Sequence, residues 1–138
     1  MFFVDGVTSA GSRPWIRSDC YWGHKEEFPG RMPKSVVQSN WRYSMDFNPE
    51  TNQYIKPYTD LAEAGYDQLP TGSNHENPMD FGKTAGFCAE HVPEDHLLGF
   101  LQTPWTFTLP ADRDHHMAAV DQVREGKEGY ARIKEGKR

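Results

Sequence analysis

Asp19 is the residue whose neighbours best suit it to acid–base work. It follows the segment Trp15-Ile16-Arg17-Ser18 and stands beside Tyr21 and Trp22. In a folded chain those rings would disfavour its ionised form and offer an apolar wall to a substrate. The same position also suits a carboxylate that caps the turn behind it. Cleaving a glycosidic bond needs two carboxyl groups roughly 5 to 10 Å apart. The local candidates for a second one, Glu26 and Glu27, lie in the charged turn HKEEF, where a solvated helical face explains them better. Asp5-Gly6 reads as an ordinary turn pair. No pair of carboxylates stands out.

Three tryptophans make a stronger pattern. Trp22, Trp41 and Trp105 each follow an apolar stretch and stand in a cluster that holds Ser, Asn, Thr or Gln. An indole gives a broad rigid face and one N–H donor, which matches the mixed apolar and polar faces of a sugar ring. Placed after separate strands, the three would share one surface, with Asn40, Tyr43, Ser73, Asn74 and Gln102 as its polar contacts. Trp15 precedes its polar cluster and is assigned to packing.

Those residues sit in four clusters: Ser18 to Trp22, Ser39 to Tyr43, Thr71 to Asn74 and Gln102 to Trp105. Each is preceded by a strand-like stretch and followed by a helix-like one. Val36-Val37 is a β-branched strand signal, and Leu97 to Leu101 fits a strand buried on both faces. Pro57 can open a short helix that Gly65 closes, and Asn77-Pro78 can open another that stops near Pro93. A last helix opens near Asp112 or Asp114, with Met117, Val120, Val123, Tyr130 and Ile133 as a weak stripe. Phe2-Phe3-Val4 reads as a further core strand. Because it starts directly behind Met1, the chain reads as a piece of a larger ancestral domain. The expectation is an α/β fold of about four parallel strand–helix units, whose ligand site lies at the strands' carboxyl ends.

Composition narrows the classes. The 138 residues are one domain's length, 36% hydrophobic and 13% aromatic, with ten prolines and twelve glycines. Mean hydropathy is −0.81. A net charge of −5 without a basic stripe argues against a nucleic-acid surface. The basic residues gathered at the C-terminus (Lys127, Arg132, Lys134, Lys137, Arg138) are interrupted by glutamates. Cys20 and Cys88 give no zinc spacing, and read as two thiols or a single bridge. His115-His116 lacks the i, i+4 spacing of a helical metal pair, so no metal is expected. No P-loop, dinucleotide fingerprint or nucleophile elbow is present, and no cofactor is expected. The opening residues lack the form of an export leader, and no stretch approaches membrane-spanning length.

The segments PWIRSDCYW (residues 14–22), PKSVVQSNWRY (33–43), LAEAGYDQLPTGSN (61–74) and LLGFLQTPWTFT (97–108) carry a resemblance. Together they resemble the last four strand–helix units of a (β/α)8 barrel of the family 20 hexosaminidase-like glycoside hydrolases, or of related bacterial barrel proteins that are often exported. The resemblance implies a half-barrel and a sugar pocket lined by Asp19, Trp41, Tyr43, Asn74 and Trp105. It also implies a carbohydrate ligand, and a second copy or a complementary half-barrel as partner. Two departures matter. No Asp-Glu dipeptide, the family's catalytic pair, occurs in the chain, and Arg17 stands where the family has an apolar or aromatic residue. The alternative expectation is a non-catalytic carbohydrate-binding domain, or a structural or interaction domain.

Overall fold

The computed structural model describes residues 2–137, without the side chain of Phe2; Met1 and Arg138 lie outside the described residues. The chain opens with α1 (Phe2–Ser9), where a core strand was expected, and Phe3 is 82% exposed. No described strand runs beside this segment, so helical bonding is what pairs its backbone groups. There follow β1 (Trp15–Arg17), α2 (Asp19–Gly23), α3 (Phe28–Arg31), β2 (Val37–Ser39) and α4 (Pro57–Glu63). Then come β3 (Thr71–Gly72), α5 (Asp80–His91), β4 (Leu101–Gln102) and α6 (Arg113–Gly136). Short 3-10 turns occupy Glu94–His96 and Pro110–Asp112.

The expected half-barrel of four parallel strand–helix units is not formed. About 48% of the chain is helical and 10% is strand. The strands make two separate two-stranded sheets, β1 with β2 and β3 with β4. Both pairings are parallel, with Ile16 opposite Gln38 and Thr71 opposite Leu101. Isolated bridges, Gln38 to Gln68, Trp41 to Thr71 and Gln68 to Leu97, link the pieces. The reason lies in the side chains. A parallel sheet buried on both faces calls for a near-continuous Val, Ile or Leu run, whereas the buried segments here carry Gln38, Ser39, Asn40, Gln68 and Thr71. The run from Leu97 to Leu101, expected to be buried on both faces, is interrupted by Gly99 at φ 147°, and Leu98 is 51% exposed.

Helices supply the apolar core. Pro57 presets the first turn of α4. Gly65, at φ 81°, closes that helix with two paired bonds, Gly65 N–H to Ala62 C=O and Tyr66 N–H to Leu61 C=O. Tyr58 and Ala62 of α4 face a cluster with Ile55, Phe87, Cys88 and Val92, while Leu61 faces another with Tyr21, Phe28 and Tyr66. One short helix therefore serves both cores. Neither cysteine is bridged: Cys88 is buried and Cys20 exposed. At the amino ends of the strands, Asp67 pairs with Arg13 at 2.8 Å and with His96 at 3.0 Å.

The longest element, α6, buries Ala119, Gln122 and Gly126 and leaves Met117, Val120 and Val123 exposed. Its buried stripe is therefore not the apolar one expected. Close approach decides this. A Cβ at Gly126 would lie 2.6 Å from the Phe81 ring, and one at Gly72 would lie 2.7 Å from the Phe81 Cα. Phe81 is thus wedged between β3 and α6. Gly129, three residues on, has no neighbour nearer than Arg132 at 3.9 Å. Replacing Gly126 by Ala should destabilise by about 1–3 kcal/mol through overpacking. Gly129→Ala should stabilise by roughly 0.5–1 kcal/mol through helix propensity alone. Urea unfolding of the two variants checks these opposite signs.

Candidate functional site

Arg17 ends β1 and Ser18 and Asp19 follow it, Asn40 to Tyr43 follow β2, Ser73 follows β3, and Thr103 to Trp105 follow β4. Since the pairings are parallel, these carboxyl-terminal residues meet on one side. The rings form a continuous row. Trp22 and Trp41 have centroids 5.0 Å apart, Trp41 and Tyr43 5.0 Å, and Trp22 and Tyr54 4.9 Å. The Arg17 guanidinium lies 4.3 Å from the centre of Trp41 and 5.2 Å from that of Trp105. Arg42 lies 4.9 Å from the centre of Tyr54.

Hydrogen bonds fix the indoles and the Tyr43 phenol. The Trp22 indole N–H donates to Asn40 Oδ1 at 2.9 Å, and the Asn40 amide donates to the Tyr54 carbonyl at 3.1 Å. The Trp41 N–H donates to Asp19 Oδ1. Trp105 donates its N–H to the Tyr43 hydroxyl at 2.7 Å. That hydroxyl lies 2.8 Å from Thr103 Oγ1, which in turn donates to the Gly72 carbonyl at 3.2 Å. The donors run one way, from Trp105 through Tyr43 and Thr103 to the backbone of β3. This chain holds Trp105 at φ 51°, a left-handed conformation that a bulky residue rarely adopts.

The structure brings together Asp19, Trp22, Asn40, Trp41, Tyr43 and Trp105 from the residues expected at the site. It turns Asn74 and Gln102 towards α6 and buries Ser73 against α5 and the loop after β4. Ser73 is buried, donating its N–H to Asp80 Oδ2 at 2.9 Å and its hydroxyl to the Thr103 carbonyl at 2.6 Å. Asn74 donates to the His115 carbonyl at 3.0 Å, and Gln102 to Gln122 Oε1 at 3.1 Å. Sequence reasoning missed Arg17, Arg42, Tyr54 and Thr103 as members. Arg17 carried a signal, a charged residue at a strand position two before Asp19. Tyr54 carried none, because it arrives from the long loop before α4.

Two carboxylates were open to catalytic readings. Asp19 is half-exposed, so the expected desolvating wall is absent; it accepts from Trp41 and lies 3.9 Å from Arg17 Nε. It acts as an anchor for the ring row. Burial pushes Asp80 from 3.8 up to about 6, with Glu76 adding to the rise and the Ser73 and Ser44 bonds and Arg42 opposing it. Such a value would suit a general acid. Its geometry does not, because Asp80 is 0% exposed and each oxygen accepts a backbone N–H, from Ser44 at 3.0 Å and Ser73 at 2.9 Å. Asp80 is a clamp between the loops after β2 and β3.

Other concavities offer less. A groove of about 300 Å³ between α5, β4 and α6, lined by Phe81, Leu97, Phe100, Val123 and Tyr130, has Lys127 as its one charged group. It holds no carboxylate, thiol or imidazole. Among the described residues, no cluster of His, Cys, Asp and Glu could hold a metal ion. No described helix is long and apolar enough to cross a membrane. No protein-family model, curated protein or solved structure matches the chain.

The clamp has a pH signature. Asp80's affinity for its proton rises on folding, so its contribution to stability is complete below pH 3.8 and is lost as pH rises through about 6. Asp67 behaves oppositely. The His96 bond, then Arg13, hold its carboxyl below 3.8, so its contribution is present above 3.8 and is lost as pH falls through its lower folded value. Asp80→Asn leaves one of two N–H groups without an acceptor and should cost about 1–3 kcal/mol. It should also remove the decline between pH 4 and 6, whereas Asp67→Asn should flatten the loss below pH 4. Melting temperatures across pH for both variants against the parent check this.

Proposed function

We propose that the chain binds carbohydrate through the ring row at the strand ends, and does so without hydrolysing it. The observation that carries this reading is the set of three indoles and two phenols on one side, each fixed by a directed hydrogen bond or a ring contact. Rigid rings with polar atoms at their edges suit the alternating C–H and hydroxyl surface of a saccharide. Preset geometry also lowers the entropy lost on binding. The rows of contacts include one carboxylate, Asp19, and the buried Asp80 behind them is fully committed to the backbone. A paired acid and nucleophile or base, as glycoside hydrolysis needs, is therefore not assembled from these groups.

Titration with a panel of oligosaccharides should quench or shift tryptophan fluorescence. Alanine at Trp105, which is 51% exposed, should weaken binding by about tenfold, equivalent to roughly 1.4 kcal/mol. Circular dichroism should show the variant folded. Aryl-glycoside substrates should yield no product; turnover abolished by Asp19→Asn would overturn the non-catalytic reading. A folded protein indifferent to every sugar would overturn the binding one.

A further inference from the structure

The saccharide reading leaves one group unexplained, and that group points to the kind of sugar. Arg17 has a side chain 30% exposed, yet its guanidinium makes no hydrogen bond among the described residues. Its ion pair with Asp19 is long, at 3.9 Å, and Asp19 already accepts the Trp41 N–H. Its Nε, the atom of that ion pair, is buried without a hydrogen-bond partner. Rings hold it instead, Trp41 at 4.3 Å and Trp105 at 5.2 Å. Arg42 repeats the arrangement at the other end of the row: it stacks on Tyr54 at 4.9 Å and its Nε is likewise buried and unpartnered.

Leaving buried donors unsatisfied is unfavourable. Two arginines oriented by aromatic faces, with their hydrogen-bonding capacity unused, are arranged as they would be for an incoming anion. With Nε buried, the terminal Nη groups are the donors left to each guanidinium for a planar partner such as a carboxylate. Arg17 and Arg42 bring two positive charges to the row, set against Asp19 within it and Asp80 behind it, on a chain whose formal charge is −5. Arg17 also covers a face of Trp41. A sugar approaching that face meets a cation before it meets an indole.

We propose that the ligand is an acidic saccharide, a uronate whose carboxylate is taken by Arg17, with Arg42 as a second anion contact further along the row. This rests on the carbohydrate reading and narrows it. The test is calorimetric titration of the full chain with galacturonate, glucuronate-containing and mannuronate oligosaccharides, each beside its carboxyl-reduced neutral counterpart. A sulfated neutral oligosaccharide serves as a further arm. At least one uronate should bind tenfold or more tightly than its reduced form, and binding should weaken as salt rises. Arg17→Gln should erase that preference while near-native circular dichroism persists, and Arg17→Lys should restore part of it. Should Arg17→Gln fail to fold, Arg42→Gln should reduce the preference instead.

Equal binding of acidic and reduced forms would overturn the proposal and leave the sugar reading intact. A preference confined to the sulfated arm would also overturn the carboxylate assignment. A preference for uronates untouched by either arginine variant would remove these residues from it. Silence from every saccharide would end both readings.

Discussion

A buried carboxylate organises this molecule. Asp80 opens α5 with no solvent exposure and holds the backbone of two loops at once, Ser44 after β2 and Ser73 after β3. Burying a charge is costly unless hydrogen bonds take up its lone pairs. Here two charge-assisted bonds do so, and burial still raises the group to about 6. The arrangement succeeds because both loops lack a ladder partner where they leave their strands. Ser44 follows directly on Tyr43, and Ser73 bonds the carbonyl of Thr103. The clamp therefore sets the relative placement of the two sides of the ring row.

The same logic extends through the interior. Gln38 and Gln68 are fully buried and spend their amides locally, on the Val36 and Tyr58 carbonyls. Ser39 and Thr71 share a hydroxyl bond of 2.5 Å between the two sheets. These side chains add to backbone bonds that already link the segments, such as Leu69 N–H to the Gln38 carbonyl at 2.9 Å and Thr71 N–H to the Asn40 carbonyl at 3.0 Å. Apolar cohesion comes from α4 and α5, where burial of residues such as Ile55 and Leu61 contributes about 1.5–3 kcal/mol each. Polar bonds give the strand segments their register, and the helices give them their stability.

This division explains what was legible in the sequence. Pro57, Gly65 and Pro93 mark helix ends by backbone conformation, which local chemistry dictates, and α4 and α5 lie where those residues put them. The segments around Val37 and Leu101 were recognisable from β-branched and apolar runs. How far each would pair was not, because pairing length depends on which buried polar groups find partners. A half-barrel was expected from four strand–loop–helix passages; Gln38, Gln68 and Gly99 are the residues that should have argued against long strands. Helix α1 was missed because a short apolar run reads equally as strand or helix. At the site, indole-bearing residues were legible as rings beside polar neighbours. Arg17, Arg42 and Tyr54 join them only through tertiary stacking, and Ser73 and Gln102 look alike in sequence whether they face a ligand or a helix.

The Phe81 wedge constrains how such a chain can change over time. The phenyl ring occupies the volume that a side chain at Gly126 would fill, and the backbone of Phe81 blocks one at Gly72. A descendant that enlarges Gly126 must shrink the ring in the same step or pass through a strained intermediate. Enlarging Gly72 demands more, because only a shift of the helix backbone at Phe81 could make room for it.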